Sequence, residues 1–148
     1  MRVRTFEFPD ELHYLVEHDT WARLDPDGSV TVGLTSLGAH ISGEFIEFMP
    51  KELGAAIERD RSLGVLEMSK VIRSVRSPVS GRIVASNERA SQRASLINED
   101  PYGDGWLVRL APRDWTSDVA HLVTGAAITA AVEQYMALLA ETFDQPLP

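Results

Sequence analysis

Residues 63–81 constrain the fold and the function of this chain more than any other stretch. Two short apolar runs, residues 63–68 and residues 71–75, are separated by only Ser69 and Lys70, and a Ser-Pro-Val-Ser-Gly turn follows. A two-residue connection reverses a chain sharply, so the pattern predicts a β-hairpin with Lys70 at its tip. A lysine in that position is held away from the core on a rigid support. The stretch therefore predicts a lysine that is presented to an enzyme for acylation.

Short strands separated by turns account for most of the remaining sequence. Residues 29–34 and 106–110 alternate between apolar and other side chains, and this period of two indicates half-buried strands. Before residue 112 there are no helical patterns of about 10 to 15 residues, which would be needed to join parallel strands. The pattern therefore favours a mostly β protein, built as a small sandwich or barrel. From residue 117 the apolar spacing becomes helical, so helices are expected at the C-terminal end.

These patterns predict one domain over residues 1–148. Its parts would be a loosely held arm at residues 1–11, a β-sandwich at residues 12–112 and helices at residues 117–142. A chain of this length buries a core without disulfides or metal ions. The N-terminal residues lack the apolar segment of a signal peptide, and no apolar run is long enough to cross a membrane. We therefore expect a cytoplasmic protein with no membrane partner.

The composition excludes several kinds of chemistry. The chain has no cysteine, so it forms neither a disulfide nor a thiolate metal site, and redox chemistry would require an attached cofactor. The net charge of -8 argues against a nucleic-acid partner. The four histidines are irregularly spaced, and neither a serine-hydrolase elbow nor a phosphate-binding loop is present. The sequence thus offers no catalytic residue and no metal ligand.

Four motifs in the chain resemble the H protein of the glycine cleavage system, which belongs to the lipoyl and biotinyl domain superfamily. Around the lysine, the family pattern Glu-Ser-Val-Lys-Ala, followed by Tyr-Ser-Pro-Val-Ser-Gly, corresponds without a gap to residues 67–71 and 76–81. The family's His-Glu-Trp and Val-Gly-Ile-Thr resemble residues 18–21 and 32–35. Its Asn-x-Asp-Pro-Tyr-Gly-x-Gly-Trp resembles residues 98–106. The resemblance extends over nearly the whole chain.

This resemblance implies a specific fold, cofactor and role. The fold would be a barrel-sandwich hybrid, with two small sheets folded over each other and C-terminal α-helices packed against them. Lipoate would be attached to Lys70 through an amide, and Glu67 would help a lipoate ligase or lipoyl transferase to recognise the hairpin. Biotinyl domains place methionine on both sides of their lysine, whereas Val71 follows Lys70 here and Met68 lies two residues before it. Lipoate is therefore preferred, and the protein would be a non-catalytic carrier.

The resemblance leaves more than one pathway open. H proteins carry the aminomethyl group of glycine between glycine cleavage enzymes, and a dihydrolipoyl dehydrogenase reoxidises the arm. This chain departs from their pattern at Val71, Ser74, Arg76 and Arg82, and together with Arg73 these arginines are expected to make the surface beside the arm more positive. Residues 8–12 and 21–23 look closer to the lipoate-binding proteins of bacterial sulfur oxidation, which serve a heterodisulfide-reductase-like complex. We predict that sulfur-oxidation role ahead of glycine cleavage. An unmodified scaffold that has lost the cofactor is a further alternative.

Overall fold

The computed structural model describes residues 1–143, which form two facing antiparallel sheets, an N-terminal hairpin and five α-helices. The strands are β1 (Arg2–Val3), β2 (Phe6–Glu7), β3 (His13–Leu15), β4 (Thr20–Leu24), β5 (Val30–Leu34), β6 (Glu47–Pro50), β7 (Ala56–Ile57), β8 (Ser62–Glu67), β9 (Ile72–Arg76), β10 (Gly81–Ser86) and β11 (Val108–Pro112). The helices are α1 (Ser36–Ser42), α2 (Glu88–Gln92), α3 (Ser95–Glu99), α4 (Trp115–Val119) and α5 (Ile128–Phe143).

The larger sheet has six strands in the order β3-β4-β5-β11-β10-β7, and the smaller sheet has three in the order β6-β8-β9. One apolar core lies between them and includes Val32 and Leu110 from the larger sheet and Leu66 and Val75 from the smaller one. Burying apolar area on both inner faces is what holds such a sandwich together. The mostly β architecture predicted from the sequence is therefore confirmed.

A second core lies beneath α5 and involves the N-terminal residues. Val3, Phe6 and Phe8 are buried there together with Val132 and Met136 of α5. The loosely held arm expected for residues 1–11 is wrong in this respect, because β1 and β2 pair as a hairpin and seal the inner face of the helix. The interspersed charges of this segment concealed the burial of its apolar side chains.

A side-chain cap starts α1 after β5, and a tight contact packs β4 against β5 in the larger sheet. Thr35 accepts a hydrogen bond from the Gly38 amide at 3.0 Å and so caps the N-terminus of α1. On β5, an added Cβ at Gly33 would lie 2.5 Å from the indole of Trp21. Glycine at this position therefore lets the buried tryptophan pack flat against the neighbouring strand.

The longest helix of the described residues, α5, is amphipathic and packs against the second core. No helix among residues 1–143 is both long enough and apolar enough to cross a membrane.

Candidate functional site

Lys70 lies at the tip of the hairpin formed by β8 and β9. The last ladder pair joins Glu67 to Ile72, and beyond it the Met68 amide donates to the Val71 carbonyl at 2.9 Å. Only Ser69 and Lys70 remain in the connection, as the sequence predicted. Both side chains are exposed. Among the described residues, none forms an ion pair or a hydrogen bond with the Lys70 ammonium group, so the amine is open to an incoming reagent.

The hairpin supports this tip with a buried inner face and an exposed outer face. Leu66 and Met68 point into the core, whereas Val71 and Ile72 are 58% and 62% exposed beside the lysine. The outward direction of Ile72 follows from the period of two in a strand, and Val71 precedes the strand. The base of the tip is thus anchored, while the apolar side chains next to Lys70 are available to a partner.

The far end of β9 is fixed by the Ser-Pro-Val-Ser-Gly turn. The Ser77 hydroxyl donates to the Val79 carbonyl at 2.6 Å, and the Ser80 amide donates to the buried Asp118 carboxylate at 2.7 Å. A Cβ at Gly81 would collide with the Ala111 carbonyl. The turn in this motif therefore has a structural role: it fixes the position of the end of β9 relative to the larger sheet.

Glu67 faces outward from β8, in register with Glu47 of β6 on one side and Ile72 of β9 on the other. It is partly exposed, and among the described residues it has no ion-pair partner. Like charges directly opposite each other on neighbouring strands repel. The pair Glu47 and Glu67 therefore makes the surface beside the tip locally acidic.

The arginines of the predicted basic surface are not all directed toward solvent. Arg73 turns inward, and its guanidinium lies 3.1 Å from the Asp19 carboxylate. Arg76 and Arg82 are exposed, and each donates to a backbone carbonyl at 2.8 Å, of Asp60 and Gly54 respectively. The positive charge beside the arm is therefore smaller than the sequence alone indicated, because the Asp19 carboxylate neutralises Arg73 and because Arg76 lies at the end of β9 remote from the tip and Arg82 lies on β10.

Asp19 and Tyr135 are the residues near the hairpin that the sequence analysis missed. Asp19 is only 3% exposed and accepts a hydrogen bond from the Tyr135 hydroxyl at 2.8 Å. Burial raises the pKa of Asp19, and the Arg73 guanidinium opposes that rise. Burial, reinforced by the Asp19 charge, also raises the pKa of the Tyr135 hydroxyl. An arginine at an inward position of a strand was the available sequence clue to a buried acid.

The remaining motifs pack the core and do not form a second site. The Trp21 indole donates to the carbonyls of Leu34 at 2.8 Å and Pro101 at 3.2 Å. The Asn98 side chain donates to the Gly43 carbonyl and accepts from the Phe45 amide, both just after the end of α1, and the Tyr102 hydroxyl donates to the Glu7 carbonyl at 2.6 Å. Among residues 1–143, histidine and carboxylate side chains form no cluster able to hold a metal ion.

Comparison with known proteins gives one consistent result. Residues 12–135 match the family described as glycine cleavage H-protein. The glycine cleavage system H protein of Halorhodospira halophila is 36% identical over 121 residues, covering 82% of this chain and 92% of that protein. Glycine cleavage system H protein 2 of Aquifex aeolicus is 34% identical over 128 residues, which are 86% of this chain and 80% of the relative.

A solved structure extends the similarity to three dimensions. The crystal structure of a glycine cleavage system H protein from Mycobacterium marinum superposes with a TM-score of 0.74 at 30% identity, covering 86% of this chain and 99% of that one. The similarity confirms the expected barrel-sandwich hybrid with C-terminal helices.

Proposed function

Because this chain belongs to the glycine cleavage H-protein family, whose members are non-catalytic carriers with lipoate attached covalently to a lysine, we propose that Lys70 is its lipoyl attachment site. The observation that carries the assignment is an exposed amine, without a partner among residues 1–143, on a two-residue connection between paired strands. An amine in this position is accessible to an enzyme from solvent.

The lysine content of the chain supports this choice. Lys51 is the only other lysine in the sequence. It follows Pro50 at the end of β6, and its amide donates to the Leu63 carbonyl at 2.9 Å. Leu63 lies near the start of β8, so Lys51 is at the opposite end of the three-stranded sheet from the hairpin tip. Lys51 is therefore exposed but is not presented on a protruding turn.

Attachment of the cofactor requires only an accessible amine on this chain. The Lys70 nitrogen attacks the activated carboxyl carbon of lipoate, the activating group leaves, the amine loses a proton and an amide bond remains. The apolar side chains of Val71 and Ile72 suit the alkyl chain of the bound cofactor. When attached, lipoate supplies a disulfide that partner enzymes can open and reform. The long tether raises the effective concentration of that group at each docked partner.

Glu67 is the second residue that we assign to this function. It lies three positions before Lys70 on the outer face of β8, where a lipoate ligase or lipoyl transferase gripping the tip would touch it. We propose that its carboxylate helps such an enzyme to recognise the hairpin. Charged side chains at an interface act mainly on encounter rate and selectivity.

We propose that the partners are the glycine cleavage enzymes, with the aminomethyl group of glycine as the load. The names of the relatives support this alternative over the sulfur-oxidation role. The arm would then meet a pyridoxal-phosphate decarboxylase, a folate-dependent transferase and a dihydrolipoyl dehydrogenase. A cytoplasmic location is part of the same proposal.

The test is glycine-dependent exchange of labelled carbon dioxide by purified glycine decarboxylase. We expect the lipoylated chain to support exchange and the Lys70→Arg variant to abolish it, because only the former carries the arm. Lipoylated Lys51→Arg protein serves as the matched control and should be as active as the wild type. Absence of exchange with fully lipoylated wild-type protein would contradict the glycine-cleavage assignment.

The sulfur-oxidation role is the second candidate, and the exposed Arg76 and Arg82 favour it as part of a docking surface away from the tip, since Arg76 pairs with Ser62 at the far end of β9 and Arg82 lies on β10. Their charges remain available to an acidic partner, unlike that of Arg73. If glycine exchange fails, turnover of the arm by a heterodisulfide-reductase-like complex becomes the expected activity.

A further inference from the structure

A buried carboxylate links the hairpin that bears Lys70 to the C-terminal helix. Oδ2 of Asp19 lies 3.1 Å from Nη2 of Arg73, and Oδ1 accepts the Tyr135 hydroxyl at 2.8 Å. The second amino group of Arg73 donates to the Ser42 hydroxyl at 2.7 Å. We call Asp19, Arg73 and Tyr135 the Asp19 network. This network joins β9 to α5, and the hydrogen bond from Arg73 to Ser42 connects it to the end of α1.

The backbone holds Asp19 in place independently of its side-chain partners. Its φ of 65° is in the left-handed region, which is uncommon for a residue other than glycine. Its carbonyl accepts the Thr35 amide at 2.8 Å, and its own amide donates to the Val16 carbonyl at 3.2 Å. A Cβ at Gly38 would collide with the Asp19 side chain. The carboxylate is therefore a fixed acceptor to which the hairpin is tied.

Arg73 is well placed to fix the hairpin, because it follows Lys70 by three residues and β9 is an edge strand. On β9, Ile72 and Ser74 face solvent, so Arg73 supplies the inward contact closest to the tip on this strand. The next polar tie lies farther along, where the Thr20 hydroxyl donates to the Arg76 carbonyl at 3.1 Å.

A gain in stability does not account for such a network. Removing two charges from water costs free energy that their attraction offsets only in part, and buried ion pairs are often replaceable by apolar groups without loss. Removing one partner, in contrast, leaves an uncompensated charge. What the network supplies is geometry, because the fork of an arginine between a carboxylate and a hydroxyl allows little freedom of position.

We propose that the Asp19 network positions the hairpin, so that the tether of the carrier begins at a fixed point and in a fixed direction. The inference rests on the proposed function, since it takes Lys70 as the attachment site. In this account Arg73 and Tyr135 are positioning residues that touch neither the cofactor nor the lipoylating enzyme. They act by limiting how far the tip departs from the body of the protein.

Hydrogen exchange of the unlipoylated protein tests the positioning directly. In Arg73→Met we expect the amides of residues 66–76 to exchange about tenfold faster, because local opening of the edge strand becomes easier. Tyr135→Phe should give a smaller acceleration at the same amides, since it removes one hydrogen bond but keeps the ring. Arg113→Met is the matched control: it breaks an exposed pair with Glu58 and should leave these amides unchanged. Exchange in β5 should stay the same in Tyr135→Phe and Arg113→Met, and in Arg73→Met it should accelerate less than exchange at residues 66–76.

Lipoylation kinetics separate positioning from a general loss of structure. With a lipoate ligase, Arg73→Met should raise the KM for the carrier by about threefold to tenfold and leave kcat unchanged, because fewer molecules present the tip correctly. Arg73→Lys should have a KM between those of the wild type and Arg73→Met, because lysine keeps a positive charge beside the Asp19 carboxylate.

Unchanged exchange at residues 66–76 in both Arg73→Met and Tyr135→Phe would overturn the inference. So would a fall in kcat with an unchanged KM. If Arg73→Met does not fold, Tyr135→Phe alone decides between these results. The exchange experiment needs no cofactor, so failure of wild-type lipoylation would refute the proposed function and leave this test standing.

Discussion

At the scale of single residues, Lys70 and Arg73 lie three positions apart on one hairpin in opposite surroundings: the Lys70 side chain is exposed, whereas the Arg73 guanidinium lies 3.1 Å from the buried Asp19 carboxylate. The exposure of Lys70 depends only on its immediate neighbours, because a two-residue connection leaves no room to bury the side chain. The direction of Arg73 depends on Asp19, which lies 54 positions away in the chain. Contacts at that separation follow from the packing of the sheets, so the inward position of Arg73 indicated a buried acid but could not identify Asp19 as its partner. Glu67 was placed on the hairpin by spacing alone, and its recognition role stays a prediction.

His13 provides a pH-dependent prediction at this scale. Its ring packs edge-on against Trp115 at 5.1 Å, and its buried Nδ1 has no partner among the described residues. Burial lowers the pKa of His13 below its ordinary value of 6.5, so the folded state binds the proton less tightly than the unfolded state. The contribution to stability is therefore complete above pH 6.5 and is lost as the pH falls through the folded-state value.

We expect the free energy of unfolding of the wild-type protein to decrease across this interval, as measured by urea titrations at a series of pH values. In His13→Phe, which keeps an aromatic ring against Trp115, that decrease should be smaller. His121 is exposed, so His121→Phe should retain the wild-type dependence. If the free energy of unfolding depended on pH identically in His13→Phe and the wild type, the assignment of this dependence to His13 would be refuted.

At the scale of elements, periodicity identified those whose alternation is regular and missed those defined by tertiary packing. The strands at residues 30–34 and 108–112 and the helical C-terminal region follow the patterns in the sequence. The N-terminal hairpin does not, because β1 and β2 have only two residues each. Strands this short carry no measurable period, and packing against α5 is what orders them.

Phe8 tests the structural role of this N-terminal segment. It is 1% exposed and packs edge-on against Tyr14, with ring centroids 5.5 Å apart. We expect Phe8→Ala to lower the free energy of unfolding by about 3 to 5 kcal/mol, through lost burial and the cavity left behind. Leu53→Ala, at a position that is 65% exposed, should change it by less than about 0.5 kcal/mol. Chemical denaturation of both variants measures the difference. A loss below about 1 kcal/mol for Phe8→Ala, on the order of a surface change, would instead support the interpretation of residues 1–11 as a loosely held arm.

At the scale of the whole molecule, the fold class was predictable and the order of strands was not. Regular turns and the absence of long internal helices were sufficient to indicate a small antiparallel sandwich. The pairing of β5 with β11 joins segments that lie more than 70 residues apart, as Thr31 opposite Arg109 shows. Such pairings follow from the simultaneous packing of both apolar cores, and no local sequence pattern encodes them. We retain one folded unit over the whole chain as a proposal, since two cores share the elements around Trp21 and α1.

The same arrangement explains how a small protein serves as a carrier. The larger sheet and α5 form a stable body, and the three-stranded sheet projects one short tip from it. The partner enzymes then carry out the chemistry, and this chain contributes a surface for recognition and a residue for attachment of the cofactor. The family membership and the geometry of the tip both support the proposal that Lys70 is the attachment site.

The most direct test of this account is the intact mass of the protein after co-expression with a lipoate ligase in the presence of lipoate. We predict that the wild type and Lys51→Arg each gain the mass of one lipoyl group, with the modified peptide containing Lys70, and that Lys70→Arg gains none. An unchanged wild-type mass would favour a scaffold without cofactor, and modification that persists in Lys70→Arg would contradict the assignment of the site.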